Sequence, residues 1–465
     1  MHKALIFGAL LINLCLGSAG FAQSLPKTEL SLDQARRLAV HAWQSGNPGL
    51  AIKLSKGLLK ANRRDAIAYY VIARSYAGLS RPNLARRAAT RAYRFSESDT
   101  ARFRAGQLAA QMAFAENKPS LAQVWLRRTA LYAPSDREEA LVARDYRLLR
   151  QINPWSIGVR ADLRPSQNIN NGADSALQVI DGVPVTGFLS GTARALSGII
   201  GVVDLSSSYR LRANKTSSTT LGGRLYLQRV RLSGDALALA PTAENSDFAS
   251  THAEVSLGHA FAIGPKDKGG TASVKLTFGE SWFGGQRIYR FGRVQGERVW
   301  KLGGGRTRVS LGASLETRRK VRFTTSEADI IGLNGGFKRT FGNGDALSIS
   351  LALRDTQSIR DNGTYRSASL RASYAFAKPI GPAHLTAGLV LGYSDYPNYR
   401  SAGLFVVPGG RQDQSLYGDL SLFFDKISYA GFAPMLRVRA GRKSSNDSRF
   451  STRDISLTLS FQSTF

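Results

Sequence analysis

Apolar and polar residues alternate along the last segment of the chain. Residues 455–462 read Ile-Ser-Leu-Thr-Leu-Ser-Phe-Gln, so every second side chain is apolar. A period of two gives a strand one apolar face and one polar face, which is the pattern of an outer-membrane barrel with a polar lumen. The alternation recurs from Trp155 onward and predicts fourteen strands, an even number as bacterial barrels have: 155–163, 197–209, 218–230, 249–262, 271–283, 287–300, 306–318, 329–341, 345–357, 364–377, 383–395, 413–426, 429–442 and 450–463.

The same alternation predicts which side chains face lipid and which face the lumen. In residues 347–353, for example, the four aliphatic side chains share one face and the intervening serines the other. Lumen-facing positions are rich in arginine: Arg160, Arg224, Arg308, Arg354, Arg371, Arg437 and Arg439. Such a lumen would favour anions. Alternatively, pairing with inward acids such as Asp162, Glu316 and Asp425 would fill a closed interior.

The connections and the aromatic residues give the predicted barrel its orientation. Long connections near 164–196, 231–248 and 396–412 suit the outer side, and short ones such as 342–344 suit the periplasmic side. Both ends of an even-stranded barrel then lie in the periplasm. Aromatic residues near strand ends suit the two interface girdles: Trp155, Tyr209, Trp282, Trp300, Tyr396 and Tyr429.

Before Pro154 the apolar spacing changes from two to that of a helix. Between Leu32 and Arg150 an internal period near 34 aligns Leu50-Ala51 with Leu84-Ala85 and then with Leu121-Ala122. This length matches a tetratricopeptide-like repeat of three helix pairs, with three extra residues expected in the connection from Asp99 to Arg102. Small residues fall where paired helices approach closely: Ala39, Ala73 and Ala110 in the first helices, Ala51, Ala85 and Ala122 in the second.

A stack of helix pairs presents a concave surface made by its first helices. We expect this surface to be the peptide-binding face, although the same side chains would also suit a solvated helix surface. Its candidate client-binding residues are Arg36, Trp43, Tyr70, Arg74, Arg104 and Gln107.

The amino terminus and the charge indicate an exported protein. Residues 1–22 have Lys3, an apolar stretch and small residues at Gly20 and Ala22, as in a signal peptide. The single cysteine, Cys15, lies inside that stretch, so disulfides are not expected to stabilise the mature chain. We therefore predict a signal peptide (1–22), a periplasmic repeat domain (23–150) and an outer-membrane barrel (151–465), an α + β chain of two domains. The net charge of +30 suits lipid head groups and the lumen, because export argues against nucleic acid.

The sequence lacks the residue patterns of a catalytic or metal site. The mature histidines, His41, His252, His259 and His384, form no recognisable motif with a nucleophile or with other ligands. No phosphate-binding glycine loop or other cofactor motif is present, and no stretch of roughly 20 apolar residues predicts a helical membrane span. We expect a protein that is not an enzyme and needs no cofactor.

Several local segments of the barrel region carry a resemblance to a known family. They are Asn153-Pro154-Trp155, Pro165-Ser166-Gln167-Asn168-Ile169-Asn170-Asn171-Gly172, Ala195-Leu196-Ser197-Gly198 and Trp282-Phe283-Gly284-Gly285. Together with the order of signal peptide, repeat and barrel, they resemble the surface lipoprotein assembly modulator (modifier) family over nearly the whole mature chain. The resemblance implies delivery of lipoproteins to the cell surface, with the repeat domain engaging the client or assembly factors in the periplasm.

Three functions follow from this organisation. The first is translocation or surface display of lipoproteins or other exported proteins. The second is a porin-like channel whose repeat domain acts as a periplasmic plug or docking module, and the third is an anchor that displays the repeat domain. The expected partners are outer-membrane lipids, an exported client and the host barrel-assembly machinery, for which the lipid-facing Phe461 and the terminal Phe465 form the insertion signal.

Overall fold

The computed structural model describes residues 30–265, 269–321, 327–401 and 405–463. The predicted signal peptide (Met1 to Ala22) and the terminal Phe465 lie outside the described residues. The chain forms two compact units, one ending at Ser96 and one beginning at Glu97. Each unit is described by itself below.

The first unit consists of four helices, and the second begins with three more. The helices of the first unit are α1 (Leu32–Gln44), α2 (Pro48–Ala61), α3 (Ala66–Gly78) and α4 (Pro82–Phe95). The second unit begins with α5 (Asp99–Ala115), α6 (Pro119–Ala130) and α7 (Asp136–Ile152). None of the helices in the described part of the chain combines the length and the apolar character needed to cross a bilayer.

Each of the three helix pairs turns in the same way. Gly46, Ser80 and Asn117 have positive φ angles of 75°, 55° and 60°, and each lies two residues before the proline that begins the second helix of its pair. A left-handed residue ends the first helix, and proline suits the first helical position because its missing N–H has no intrahelical acceptor there. The three sequence repeats therefore share the same turn between their two helices.

Small residues form the helix contacts that the repeat predicts. In the first unit Ala39, Ala51 and Ala73 are fully buried, and in the second Ala110 and Ala122 are buried. The predicted insertion between Asp99 and Arg102 is wrong, because these residues form the first turn of α5, which has 17 residues against 13 in α1 and in α3. A seventh helix, α7, follows the three predicted pairs.

The second unit continues as a closed antiparallel barrel of fourteen strands, as predicted. They are β1 (Trp155–Ser166), β4 (Gly198–Ala213), β5 (Ser217–Leu232), β6 (Ser250–Ile263), β7 (Gly270–Phe283), β8 (Gln286–Leu302), β9 (Thr307–Lys320), β10 (Ala328–Thr340), β11 (Ala346–Ser358), β12 (Tyr365–Ala375), β13 (His384–Tyr396), β16 (Arg411–Phe423), β17 (Phe432–Ser445) and β18 (Thr452–Ser463). Each strand pairs with its sequence neighbours in the barrel, and β1 meets β18.

The outside of the barrel is apolar. Ile157, Leu311 and Ile455 are 71%, 58% and 64% exposed, and they alternate along their strands with polar residues that face the lumen. An exposed apolar belt around a whole barrel is unfavourable in water. Closing the sheet pairs the backbone N–H and C=O groups, for which lipid offers no hydrogen-bonding partners. The barrel is therefore of the outer-membrane type.

Three outer connections contain short helices or strands of their own. The connection after β1 contains a hairpin of β2 (Leu177–Ile180) and β3 (Val183–Phe188), and that after β5 contains a short helix, α8 (Gly234–Leu239). The connection between β13 and β16 holds the two-residue strands β14 (Arg400–Ser401) and β15 (Phe405–Val406). Asp447, in the β17–β18 connection, is fully buried and accepts hydrogen bonds from Gln178 (3.0 Å) and Ser401 (2.7 Å). Three connections thus meet at one buried carboxylate.

Candidate functional site

The structure places four of the six predicted client-binding residues on α1 and α3 of the first unit. Arg36 bonds both Asp65 (2.7 Å) and Asp33 (2.6 Å), and these hydrogen bonds raise the pKa of its guanidinium, Asp65 contributing most. The Arg74 guanidinium lies over the Trp43 ring, 4.9 Å from its centroid, and Tyr70 is half-buried. Both arginines therefore already have partners inside the first unit.

The other two client-binding candidates lie on α5 in the second unit. Arg104 is exposed and Gln107 is half-buried. Both belong to the first helix of their pair, as the repeat predicts. Whether either residue binds a peptide stays a prediction.

The predicted lumen arginines share the inner face of the barrel with acids and polar groups. Arg224 bonds Asp204 at 2.8 Å, and Arg160 lies directly opposite Asp204 on the neighbouring strand. Arg371 bonds Asp419 at 2.9 Å. These pairs resemble the closed-interior alternative, in which charges inside the barrel balance one another.

Arg437 and Arg439 on β17 also contact their neighbours. Arg437 donates to the Ser421 hydroxyl at 2.9 Å, and the Arg439 guanidinium lies 4.2 Å from the centroid of the Tyr417 ring. Arg439 stands opposite Asp419 in the strand register.

Of the three acids expected to pair with lumen arginines, Glu316 does so with residues that were not predicted. Glu316 bonds Arg293 and Arg318, each at 2.6 Å. Their inward parity on β8 and β9 was the signal that could have identified them. Asp425 instead lies 3.2 Å from His384, and Asp162 lies opposite Ser460.

Arg308 lies in a row of basic residues near the periplasmic end of the lumen. The strand register places it directly opposite Lys301 on β8 and Lys338 on β10. Three like charges side by side repel one another and attract anions. Arg354, on the inner face of β11, lines a separate lumen cavity of 450 Å³ together with Arg293 and Glu316.

The histidines make isolated pairs. His252 lies 3.6 Å from Glu254, His259 bonds Thr219 (2.9 Å), and His41 contacts Ser45 (3.4 Å). Across the described residues, no group of three or more His, Cys, Asp and Glu side chains is arranged to hold a metal ion.

Tyr396 differs from its predicted position in the lipid interface. Its ring lies 3.8 Å from the Arg411 guanidinium, and the Phe450 ring lies 3.7 Å from the same group. Arg411 is buried and bonds Asp413 at 3.0 Å. Because the parity of β13 turns residue 396 inward, the tyrosine helps to close the outer mouth instead of anchoring the barrel in lipid.

The junction between β1 and β18 is unlike the other junctions of the barrel. The backbone pairing of β1 with β18 covers Asp162 with Ser460 and Leu163 with Leu459. On its other side, β1 pairs with β4 along its full length from Trp155 to Ser166. The alternation of residues predicts that these strands exist, and it carries no information on how many rungs join them.

Helix α6 contacts both sides of this junction, a feature that the sequence reasoning missed. Asn153, just before β1, donates to Gln123 (2.7 Å) and Ser120 (3.1 Å) of α6. Arg127 of α6 donates to the Ser463 hydroxyl (2.8 Å) at the end of β18 and to the carbonyl of Gly431 (3.2 Å) before β17. The Arg127 guanidinium also lies 4.6 Å from the centroid of the Phe432 ring.

No protein-family model matches this chain, and no curated protein matches its sequence. Among solved structures, the type III secretion translocator chaperone SycD of Yersinia enterocolitica is 18% identical, with 27% of this chain and 88% of that chain covered and a TM-score of 0.24. The outer-membrane protein OmpT of Vibrio cholerae, with its loop L8 deleted, is 9% identical over 66% of this chain and 99% of that chain, with a TM-score of 0.32. OccK5 (OpdH) of Pseudomonas aeruginosa is 13% identical over 66% and 96%, with a TM-score of 0.30. These similarities are too low to bear on function.

Proposed function

We propose that this protein is a non-enzymatic outer-membrane barrel that assists the translocation or surface display of exported proteins, lipoproteins in particular. In this proposal the helical repeat lies in the periplasm and engages the client, and the barrel supplies the passage or the membrane site of delivery. The observation that carries the proposal is that α6 hydrogen-bonds both sides of the β1–β18 junction, through Arg127 to Ser463 of β18 and through Gln123 to Asn153, two residues before β1.

The interior of the barrel supports a translocator better than an open pore. Ion pairs such as Arg371 with Asp419 occupy the lumen, and the hairpin of β2 and β3 bonds the β17–β18 connection at the outer end. A wide channel for solutes would be expected to keep its lumen charges solvated and its outer mouth clear. A client handled by the barrel wall needs no permanently open lumen.

The expected partners follow from the surfaces of the barrel. The apolar belt suits outer-membrane lipids, and Phe461 faces that belt with 48% of its surface exposed. Together with Phe465 it is the proposed insertion signal for the host barrel-assembly machinery. No cofactor is required for this activity.

Protease shaving of intact cells, followed by mass spectrometry, tests the proposal. Cells with and without the gene are compared, and a periplasmic marker shows that the envelope stays sealed. The proposal predicts selective loss of one or a few lipoproteins from the shaved fraction while their total amounts stay unchanged. An unchanged surface proteome would contradict it.

A second candidate function, a porin-like anion channel, is favoured by one observation. The row of Lys301, Arg308 and Lys338 places three positive charges side by side on three neighbouring strands at the periplasmic end of the lumen. Planar-bilayer conductance of the purified protein separates the two functions. A stable, anion-selective pore supports the channel, whereas a silent barrel supports the translocator.

A further inference from the structure

We infer that the periplasmic half of the β1–β18 junction binds an extended polypeptide segment, which adds to the barrel wall as a strand beside β1. The inference deepens the proposed function, on which it rests for the identity of the natural occupant, an exported protein. It is carried by the strand register, a cavity in the wall and the contacts of α6.

The register shows where the wall stops pairing. Continued downward from Asp162 and Ser460, it would join Ala161 to Phe461 and Arg160 to Gln462, but neither of these pairs forms in the described part of the junction. Both strands use their other edges fully, since β18 pairs with β17 from Thr452 to Ser463. The missing rungs are therefore confined to this one junction and are not a general fraying of the two strands.

A cavity occupies the place of the missing rungs. It has a volume of 290 Å³ and is lined by residues 158–160 of β1 and 460–463 of β18, with Asp204 and Ser206 of β4, Arg224 of β5 and Met435 of β17. Hydrogen-bonded strands lie about 4.8 Å apart and leave no such space between them. The wall lacks backbone pairing beside this cavity.

A stretch of barrel wall without backbone pairing is energetically unfavourable inside a bilayer unless another group hydrogen-bonds its backbone. Backbone N–H and C=O groups facing hydrocarbon without a partner cost several kcal/mol each. A free strand edge is also a template for another strand, because main-chain hydrogen bonds form with little regard to side chains. An extended polypeptide is thus the ligand that this edge fits best.

The two faces of the wall define the side chains that the segment should carry. Val159 is exposed on the lipid side, whereas Arg160 and Arg224 line the lumen side of the cavity. A strand in this position exposes alternate residues to lipid and to these arginines. The geometry therefore selects a segment in which apolar residues alternate with polar or acidic ones.

Helix α6 connects this edge to the helical part of the second unit. Gln123 and Ser120 bond Asn153, two residues before β1, and Arg127 bonds the end of β18. A displacement of α6 would shift both sides of the cavity at the same time, because α6 is hydrogen-bonded to both. A client bound to the helices has a mechanical route to the junction through these contacts.

A defined peptide tests the binding site. The probe is a fluorescently labelled synthetic peptide with the sequence of residues 452–463, which has the required alternation, and a scrambled peptide of the same composition is its control. Binding to the purified full chain in lipid vesicles is followed by anisotropy. The lock is the variant pair Arg160→Cys and Gln462→Cys, which faces the cavity from both strands; its oxidation to a disulfide is confirmed by thiol titration before binding is measured.

The expected result is binding of the probe to the reduced protein and about tenfold weaker binding, or none, to the oxidised lock, a difference that reduction reverses. The matched control places cysteines at Val203 and Leu227, which already pair between β4 and β5, and its oxidation should leave probe binding unchanged. Equal binding by the locked and reduced protein overturns the inference.

A second measurement keeps the inference testable if the lock fails to insert. A photoreactive benzoylphenylalanine replaces Val159 in one variant and Leu205, its paired neighbour on β4, in the other. The probe should crosslink at position 159 and not at 205, and crosslinking that is equal at the two positions contradicts a site at the junction.

The inference and the proposed function can fail separately. If the oxidised lock still delivers lipoproteins to the surface of intact cells, the junction is not the client site, although the delivery function stands. If loss of the gene leaves the surface unchanged while the probe binds only the reduced lock, delivery is wrong and the peptide site stands.

Discussion

The helical repeat and the barrel bury opposite kinds of side chain. In the repeat, small alanines such as Ala39 and Ala51 are fully enclosed, so helices approach closely and polar residues face outward. In the barrel, large aliphatic residues such as Leu311 and Leu351 face outward, and charges lie within. The comparison shows that the two regions are suited to different solvents. Burial of apolar surface stabilises a fold in water, whereas a fold in lipid must pair its backbone groups.

The largest expected effect reverses the polarity of the lipid face. Leu351→Arg places a charge on the outer face near the middle of β11, where Leu351 is 43% exposed. We expect a loss of about 2–4 kcal/mol in the free energy of unfolding in vesicles, measured by urea titration with heat modifiability on gels. The control, Ala352→Arg, puts the same charge on the lumen face of the next residue.

A similar loss from both arginines would contradict the assignment of the faces. The lipid-facing and lumen-facing positions of the barrel would then tolerate a charge equally, and the contrast drawn above between the barrel and the repeat would fail.

The next effect concerns the close packing of the repeat. Ala51→Leu adds three carbons at a fully buried helix contact of the first unit. Overpacking should lower the stability of the helices by about 1–3 kcal/mol, measured as loss of helical circular dichroism from the full chain. The neighbouring substitution Leu50→Ala, at an exposed position, should change it little. If Ala51→Leu is tolerated as well, the alanines do not set the helix spacing.

A smaller effect is expected from the ion pair of Arg36. Replacing it by methionine leaves the buried Asp65 carboxylate with its hydrogen bond from the Ala68 N–H but without its cation. We expect a loss of about 1 kcal/mol in the same assay, since the arginine is partly exposed. Arg37→Met, the exposed neighbour, is the control. Equal effects would show that Asp65 needs no partner.

The smallest effect is a pH dependence in a periplasmic turn of the barrel. Hydrogen bonds from the Ala377 N–H and then from the Tyr374 hydroxyl lower the pKa of Asp345. Because the pKa is lower in the folded state, this stabilisation is present above the ordinary pKa of 3.8 and is lost as the pH falls through the lowered value.

Asp345→Asn should therefore be less stable than the wild type above about pH 4 and should approach it in stronger acid. Unfolding midpoints at neutral and acidic pH measure the difference. A gap between the two proteins that stays constant into acid would show that the carboxylate charge does not stabilise the turn.

Much of the barrel was predictable because its residue pattern is local. All fourteen strands lie within four residues of their predicted bounds, and the lipid-facing Leu351 and lumen-facing Arg371 follow directly from parity. The repeat was predictable for the same reason, since period and proline position repeat along the chain. The length of α5 was not predicted, because the repeat spacing shows that three residues are added but not whether they extend a helix or a loop.

The candidate sites were less predictable because they depend on partners far apart in sequence. Arg127 contacts Ser463 across more than three hundred residues, and no local pattern reports such a pair. Tyr396 was predicted to be an interface residue from its place near a strand end, but its ring lies against Arg411 of β16, which also lies against Phe450 of the β17–β18 connection.

Local residue patterns specify the class of each region, the number of barrel strands and the faces of those strands, because periods of 2 and 3.6 are visible among neighbouring residues. How the barrel closes depends on the tertiary structure. That β1 and β18 share two residue pairs within the described strands, and that α6 bonds both sides of this junction, depends on where distant segments meet. Register across a closing junction is a property of the assembled sheet and not of either strand.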